Sequence, residues 1–147
     1  MAKQLVIDAN NGVLGRIAAR VAKHLLGGDS IVLVNAEKLV ISGDPAVTAE
    51  KYLARRRVKN KANPEHSPKW PRRPDFLVRR VIRGMLPFYS RRGRNAFKNL
   101  RVYIGIPEEF ANAKLMEFEQ ASANLLDSKK RCTVEQLCTR MGFRLEK

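Results

Sequence analysis

VIDANNGVLGRIAARVAKHLL, residues Val6 to Leu26, is the stretch whose reading decides the fold. Leu5 to Ala9 is a short apolar run interrupted only by Asp8 and followed by Asn10, Asn11 and Gly12, which predicts a first strand and a turn. From Leu14 the spacing changes. Leu14, Ile17, Ala18, Val21, Ala22, Leu25 and Leu26 recur at helical intervals, predicting an amphipathic helix over 15–26. Arg16, Arg20 and Lys23 fall on its other face, and Gly27 and Gly28 end it. SIVLVN, Ser30 to Asn35, is a continuous apolar run between turn residues, as in a strand buried on both faces of a parallel sheet. Strand, helix, strand in that order implies a right-handed crossover and an α/β sheet.

The turn before the helix raises a nucleotide question, because a glycine turn at a helix N-terminus can hold phosphate. The dinucleotide pattern G-x-G-x-x-G is met only as N-N-G-V-L-G, with Asn10 where the first glycine belongs and Glu37 the nearest distal acid. A Walker pattern is missing. The plainer reading is a tight turn in which Asn10, Asn11 and Gly12 tolerate positive φ and Gly15 lets helix and sheet approach closely. Between the two stands a polynucleotide phosphate at the helix N-terminus, flanked by Arg16 and Arg20.

Working outward, Leu39 to Ser42 predicts a third strand, closed by Gly43, Asp44 and Pro45. Pro45 opens a second helix that runs through Tyr52 and Leu53 into Arg55, Arg56 and Arg57. KNKANPEHSPKWPRRP, Lys59 to Pro74, holds four prolines, five Lys/Arg side chains and one acid, without periodicity. Prolines in that number cannot sit inside a helix or a central strand, so an extended arm is expected, mobile without its partner. Asp75 to Leu86 restores helical spacing, with Leu77, Val78, Val81, Ile82 and Met85 on one side and Arg79, Arg80 and Arg83 on the other. Pro87 to Asn99 predicts a second basic connection with a short helical turn, and Leu100 to Ile106 the last sheet strand. The tail from Glu108 is locally acidic. In it Thr133 begins TVEQ, a capping-box pattern that predicts a terminal helix.

Charge is concentrated in one third of the chain. Arg55 to Arg101 holds 16 Lys/Arg against two acids, Glu65 and Asp75, while the other 100 residues carry 13 bases and 12 acids. Unpaired like charge raises the free energy of a compact state, so a solvated surface does not account for this excess, and a polyanionic partner does. Twelve of the 16 are arginines, whose planar fork suits phosphates and base faces. Trp70, Phe88, Tyr89 and Phe97 lie among them and can stack on unpaired bases, although self-packing is the simpler reading of Phe88 and Phe97. An arm beside a compact basic face, with no recognition-helix unit, zinc finger or basic zipper, favours folded RNA over DNA.

Catalytic sets are not evident. His24 is expected as a solvated imidazole and His66 lies in the arm, while Asp8 and Asp44 read as turn caps. Cys132 and Cys138 match no zinc or redox spacing, and Cys138 shares an apolar stripe with Val134, Leu137 and Met141 as a small hydrophobe. No cofactor, metal, membrane or small-molecule substrate is expected. No apolar run reaches the ~18 residues of a membrane span, and the N-terminus is too weakly apolar for a signal peptide, so a reducing, cytoplasmic setting is expected.

At GMLPFYSRRGRNAFKNLRVYIG, Gly84 to Gly105, the chain resembles the large-subunit ribosomal protein L-thirteen family. Gly84-Met85-Leu86-Pro87, the Gly93-Arg94 pair and Leu100 to Gly105 carry the likeness, with Val32 to Lys38, Ile7-Asp8-Ala9, Gly12 and Leu14-Gly15-Arg16. The likeness spans roughly residues 3 to 106, and the arm and tail resemble the archaeal and eukaryotic branch, leaning archaeal. It implies a small, mostly parallel α/β sheet flanked by helices. It also implies a non-catalytic role, in which the protein binds large-subunit ribosomal RNA and helps it fold during assembly.

Residues and resemblance together predict one domain over 1–147. It comprises an α/β core (about 1–58 and 75–106) with about four strands, a basic arm (59–74) and a tail with a C-terminal helix (107–147). The expected RNA-binding residues are Arg16, Arg20, Arg55, Arg56, Arg57, Lys59, Lys61, Lys69, Trp70, Arg72, Arg73, Arg79, Arg80, Arg83, Arg91, Arg92, Arg94 and Lys98. The expected partners are large-subunit ribosomal RNA and neighbouring ribosomal proteins, which the acidic tail faces. A nucleotide-binding enzyme using the Gly12 turn, and a chromatin-like DNA-binding protein, are the alternatives.

Overall fold

The computed structural model describes residues 3–127 and 130–144. Strand β1 (Gln4–Asp8) runs into the Asn10–Gly12 turn, and helix α1 (Leu14–Leu26) follows. Strand β2 (Ser30–Val34) pairs with β1 in parallel, from Gln4 opposite Ser30 to Asp8 opposite Val34. The helical stripe is buried as its spacing predicts, through Leu14, Ile17, Ala18, Val21, Ala22 and Leu25.

Strand β3 (Val40–Ser42) forms where a third strand is expected, but it leaves this sheet. Helix α2 (Pro45–Arg57) follows, with the Asp44 carboxylate accepting from the Ala46 N–H at 2.8 Å. Helix α3 (Pro74–Met85) lies on α1 and buries Leu77, Val78 and Ile82. Met85, placed on the apolar stripe by spacing, is instead exposed at the last turn. The basic connection after Pro87 contains more helix than expected: α4 (Arg91–Lys98) makes two full turns, capped by Ser90.

Strand β4 (Leu100–Val102) flanks β2 in parallel and ends well before Ile106. It is not the last strand of the sheet. A two-residue strand in the tail, β5 (Leu115–Met116), adds in parallel on the far side of β1. The order is therefore β4-β2-β1-β5, four strands, all parallel. One face packs Ile7, Ile31 and Leu33 into the helical core. The other carries Val6, Val32 and Val34 under Tyr103, Phe110 and Ala113. Cover on both faces is why SIVLV is apolar throughout rather than alternating.

The tail returns as strand β6 (Arg131–Thr133), antiparallel to β3, and ends in helix α5 (Val134–Arg140). The capping box forms as read. Gln136 N–H donates to Thr133 Oγ1 and Thr133 N–H to Gln136 Oε1, both at 3.2 Å. Val134, Leu137, Cys138 and Met141 are buried against the helical core.

Candidate nucleic-acid interface

The turn at Gly12 is closed. Asn11 is left-handed (φ 52°), and a β-carbon on Gly12 would lie 2.8 Å from Ile17 Cδ1. Gly12 is thus the close-approach glycine. Gly15, expected in that role, is exposed with nothing near its missing side chain. The tail roofs the turn: Val13 N–H donates to the Ala121 carbonyl at 2.7 Å and Ala123 N–H to the Asn11 carbonyl at 2.8 Å. Glu117 and Glu119 line the small cleft that remains. The Gly12 and Val13 N–H groups are taken by the Ala9 and Ala121 carbonyls, and the two carboxylates beside the cleft disfavour an anion there. The first of the two arginines beside this turn, Arg16, is exposed. Arg20 donates to Gln120 Oε1, next to Glu117 and Glu119.

Other chemistry-bearing residues serve the fold. Asp8 Oδ1 accepts from Asn10 N–H (2.9 Å) and Asn35 Nδ2 (2.8 Å), tying the ends of β1 and β2 together. Asn35 is left-handed (φ 55°), and buried Glu37 accepts from the Gly105 N–H at 3.0 Å, holding the loop after β4. His24 is less solvated than expected, since it meets Asp29 at 3.2 Å and stacks with Phe118. His66 is exposed in a short 3-10 turn. Both cysteines are free and buried, and burial pushes the Cys138 thiol up to about 12. Among the described residues no cluster of His, Cys, Asp or Glu is suited to a metal, and no helix is long and apolar enough to cross a membrane.

The basic third is organised by arginine on aromatic rings. Arg55, Arg56 and Arg57 occupy the last turn of α2, where the helix dipole favours cations. In the arm, Lys59 and Lys61 lie on an exposed loop whose base is closed by Asn60 N–H donating to Ser67 Oγ at 2.9 Å. The second half of the arm, expected to be free, is seated on the protein. Arg56 donates to the Trp70 carbonyl and Arg80 to the Lys69 carbonyl. The Trp70 ring meets Tyr52 edge-on at 5.7 Å, with the Arg80 guanidinium 4.1 Å and that of Arg55 5.0 Å from its centre. Arg72 and Lys69 remain exposed. Arg73 forms a two-bond pair with buried Asp75 (3.2 and 3.1 Å), anchoring the start of α3.

The same pattern joins α3 to α4. Arg79 lies over Phe97 at 5.1 Å and Arg83 over Phe88 at 5.2 Å, and the two phenylalanines pack edge to face at 5.6 Å. Arg91, Arg92 and Arg94 are exposed on α4. Arg92 donates to the Leu26 carbonyl at 3.0 Å, and fully exposed Tyr89 stands beside them. Lys98 shares a shallow cleft with Arg101 at the start of β2 and β4. Arg101 is a basic residue that sequence reasoning leaves out of the interface; its outward place on an edge strand is the signal for it. Most of the expected residues thus gather on α2, the arm, α3 and α4. Arg16 and Arg20 stand apart, the latter on the acidic tail.

An α/β scaffold with a blocked nucleotide turn and a face of aromatic-backed arginines is the framework of a polyanion-binding protein. The chain belongs to the ribosomal protein L13 family: the family profile described as "Ribosomal protein L13" matches residues 2–109. Proteins named "Large ribosomal subunit protein uL13" from three archaea are similar over nearly their whole length. The one from Methanosarcina barkeri is 44% identical over 138 residues, covering 93% of this chain and 96% of that protein. That from Methanococcoides burtonii is 42% identical over 137 residues, with the same coverage. That from Methanocaldococcus jannaschii is 42% identical over 138 residues, again covering 93% and 96%. Alignments of that length reach past residue 109 into the acidic tail, so the similarity extends beyond the residues the family profile matches.

Proposed function

We propose that this protein is a structural constituent of the large ribosomal subunit in the cytoplasm. It binds large-subunit ribosomal RNA through its basic face and arm and supports the folding and assembly of that RNA. The role is non-catalytic and needs no cofactor or small-molecule substrate. The observation that carries this reading is the row of guanidinium groups on Trp70, Phe97 and Phe88, set out along α3 in a chain whose relatives are named as large-subunit proteins. Arginines held on rings keep their charge while losing little freedom on binding, so the cost of ordering them is met before RNA arrives.

In this reading Arg55 to Arg57, Lys59, Lys61, Lys69, Arg72 and Arg73 follow RNA along the arm. Arg79, Arg80, Arg83, Arg91, Arg92, Arg94, Lys98 and the added Arg101 meet it across the helices. Core, arm and tail act as one unit, supported by β3–β6 pairing and by α5 packing on α2. Helices α3 and α4 pack against β4 at one edge of the sheet and the acidic tail forms the β5 edge, so neighbouring ribosomal proteins are met on the tail side. Sedimentation of lysate through a high-salt wash tests the reading. Co-migration with large subunits is expected, and release into the soluble fraction at the first wash contradicts it.

A further inference from the structure

Between the seated half of the arm and α3 lies an open cleft of about 430 Å³, within the size range of small-ligand sites. Trp70, Phe76 and Phe97 supply its apolar surface, and Arg79, Arg80 and Arg83 its charge. Two features mark it as more than a charged surface. Phe76 is 47% exposed, with only the Arg73 guanidinium over its ring, so a large aromatic surface is left to water. Arg79, which lines the cleft, has its Nε buried without a hydrogen-bond partner. A rail for duplex phosphates needs charge alone. It does not need an exposed phenylalanine in a concave wall.

We propose that this cleft holds a single unpaired nucleotide splayed out of the RNA, a deepening that rests on the function proposed above. The base lies on Phe76 and against the Arg80 guanidinium, which its bond to the Lys69 carbonyl and its stack on Trp70 hold in place. The phosphates on either side meet Arg79 and Arg83. Unpaired bases stacked on aromatic rings or guanidinium planes are the usual way a protein reads RNA outside its helices.

Trp70 is the only tryptophan, so its fluorescence reports on the cleft directly. The full-length protein is titrated with a short oligoadenylate and with an abasic ribose-phosphate strand of equal length, at ~0.15 M salt. The oligoadenylate is expected to bind about tenfold tighter, the factor that one stacked base supplies, and to quench Trp70 where the abasic strand does not. Phe76→Leu keeps the apolar surface but removes the ring. It should bring the two affinities together and leave abasic binding unchanged, with thermal melting confirming the fold. Equal affinity and equal quenching in the unsubstituted protein overturn the cleft but not RNA binding. So does a base preference that survives in Phe76→Leu. Failure to bind either strand overturns the cleft and the wider function together.

Discussion

Gly93 in α4 lies directly against Pro87: a β-carbon at 93 would overlap the Pro87 carbonyl and lie 3.0 Å from the Phe88 nitrogen. This close approach folds the basic loop back under the helix. Ser90 secures it by accepting from the Gly93 N–H at 3.1 Å and donating to the Pro87 carbonyl at 2.8 Å. Alanine is the better helix former by about 1 kcal/mol, yet backbone atoms cannot yield to it here. Gly93→Ala is expected to cost about 1–3 kcal/mol, an overpacking penalty that exceeds the propensity gain. Gly84 in α3 has nothing within 4 Å of its missing side chain, so Gly84→Ala should stabilise by about 0.4–1 kcal/mol. Denaturant melts of the two variants should move in opposite directions.

Replacing Arg79, Arg80 and Arg83 together with alanine tests the helical face. From the sequence, such a variant should lose RNA affinity with its fold intact, because the apolar stripe is untouched. The structure changes the second half of that expectation. Arg80 holds the arm at Lys69 and Trp70, so the triple variant should also release residues 68–72, seen as a red shift of Trp70 emission. The slope of log affinity against log salt should fall by about 0.7–0.9 for each phosphate that the variant no longer neutralises. Arg80→Lys keeps the charge but not the planar fork. It should retain the salt slope while loosening the arm.

Thr133→Ala removes the hydroxyl of the capping box and leaves the first turn of α5 with an unmet N–H at Gln136. A loss of about 1 kcal/mol in thermal or denaturant unfolding is expected. Leu137, fully buried one turn further on, should cost about 2–5 kcal/mol when cut to alanine, because a cavity opens in the core.

Cys138 sets an alkaline limit on stability. Burial first, and then the nearby Asp75 and Cys132, push its thiol from an ordinary 9.0 up to about 12. The folded state therefore holds the proton more tightly than the unfolded one. Its contribution is complete below pH 9.0 and is lost as pH rises toward about 12. Tyr52, also raised by burial, acts with the same sign above its ordinary 10.0. Melting temperature should fall across this window, and Cys138→Ala should flatten the fall without abolishing it. At neutral pH a thiol reagent should modify Cys138 only as fast as the protein opens.

What the sequence shows and what it hides follow from distance along the chain. The stripes of α1 and α3 and the TVEQ cap are local patterns, and they form where they are read except at Met85, which the last turn of α3 leaves exposed. Strand β3 looks like a sheet strand because its three residues are apolar or small, but its partner, Arg131–Thr133, lies some 90 residues away. The two-residue strand β5 has no periodicity to detect and exists because β1 offers it an edge. Helix α4 is masked by its charge: only Gly93 and Ala96 are buried, and Ser90 three residues before Gly93 is the signal for its start. For the site, the excess of arginine is legible. Which arginines share a face is not, since Arg20 turns to Gln120 a hundred residues away and Arg80 turns back to the aperiodic arm at Lys69. The glycine turn is decided the same way, by a tail that closes over it from residues 121–123.

The most direct measurement places a photo-crosslinking benzoylphenylalanine at Tyr89, fully exposed among the arginines of α4, or at Met116, 39% exposed on the acidic β5 edge. Each variant is assembled into purified large subunits and irradiated. Adducts to ribosomal RNA through position 89, and none to RNA through position 116, are the predicted result. RNA adducts through 116 with position 89 silent would contradict the account at its centre.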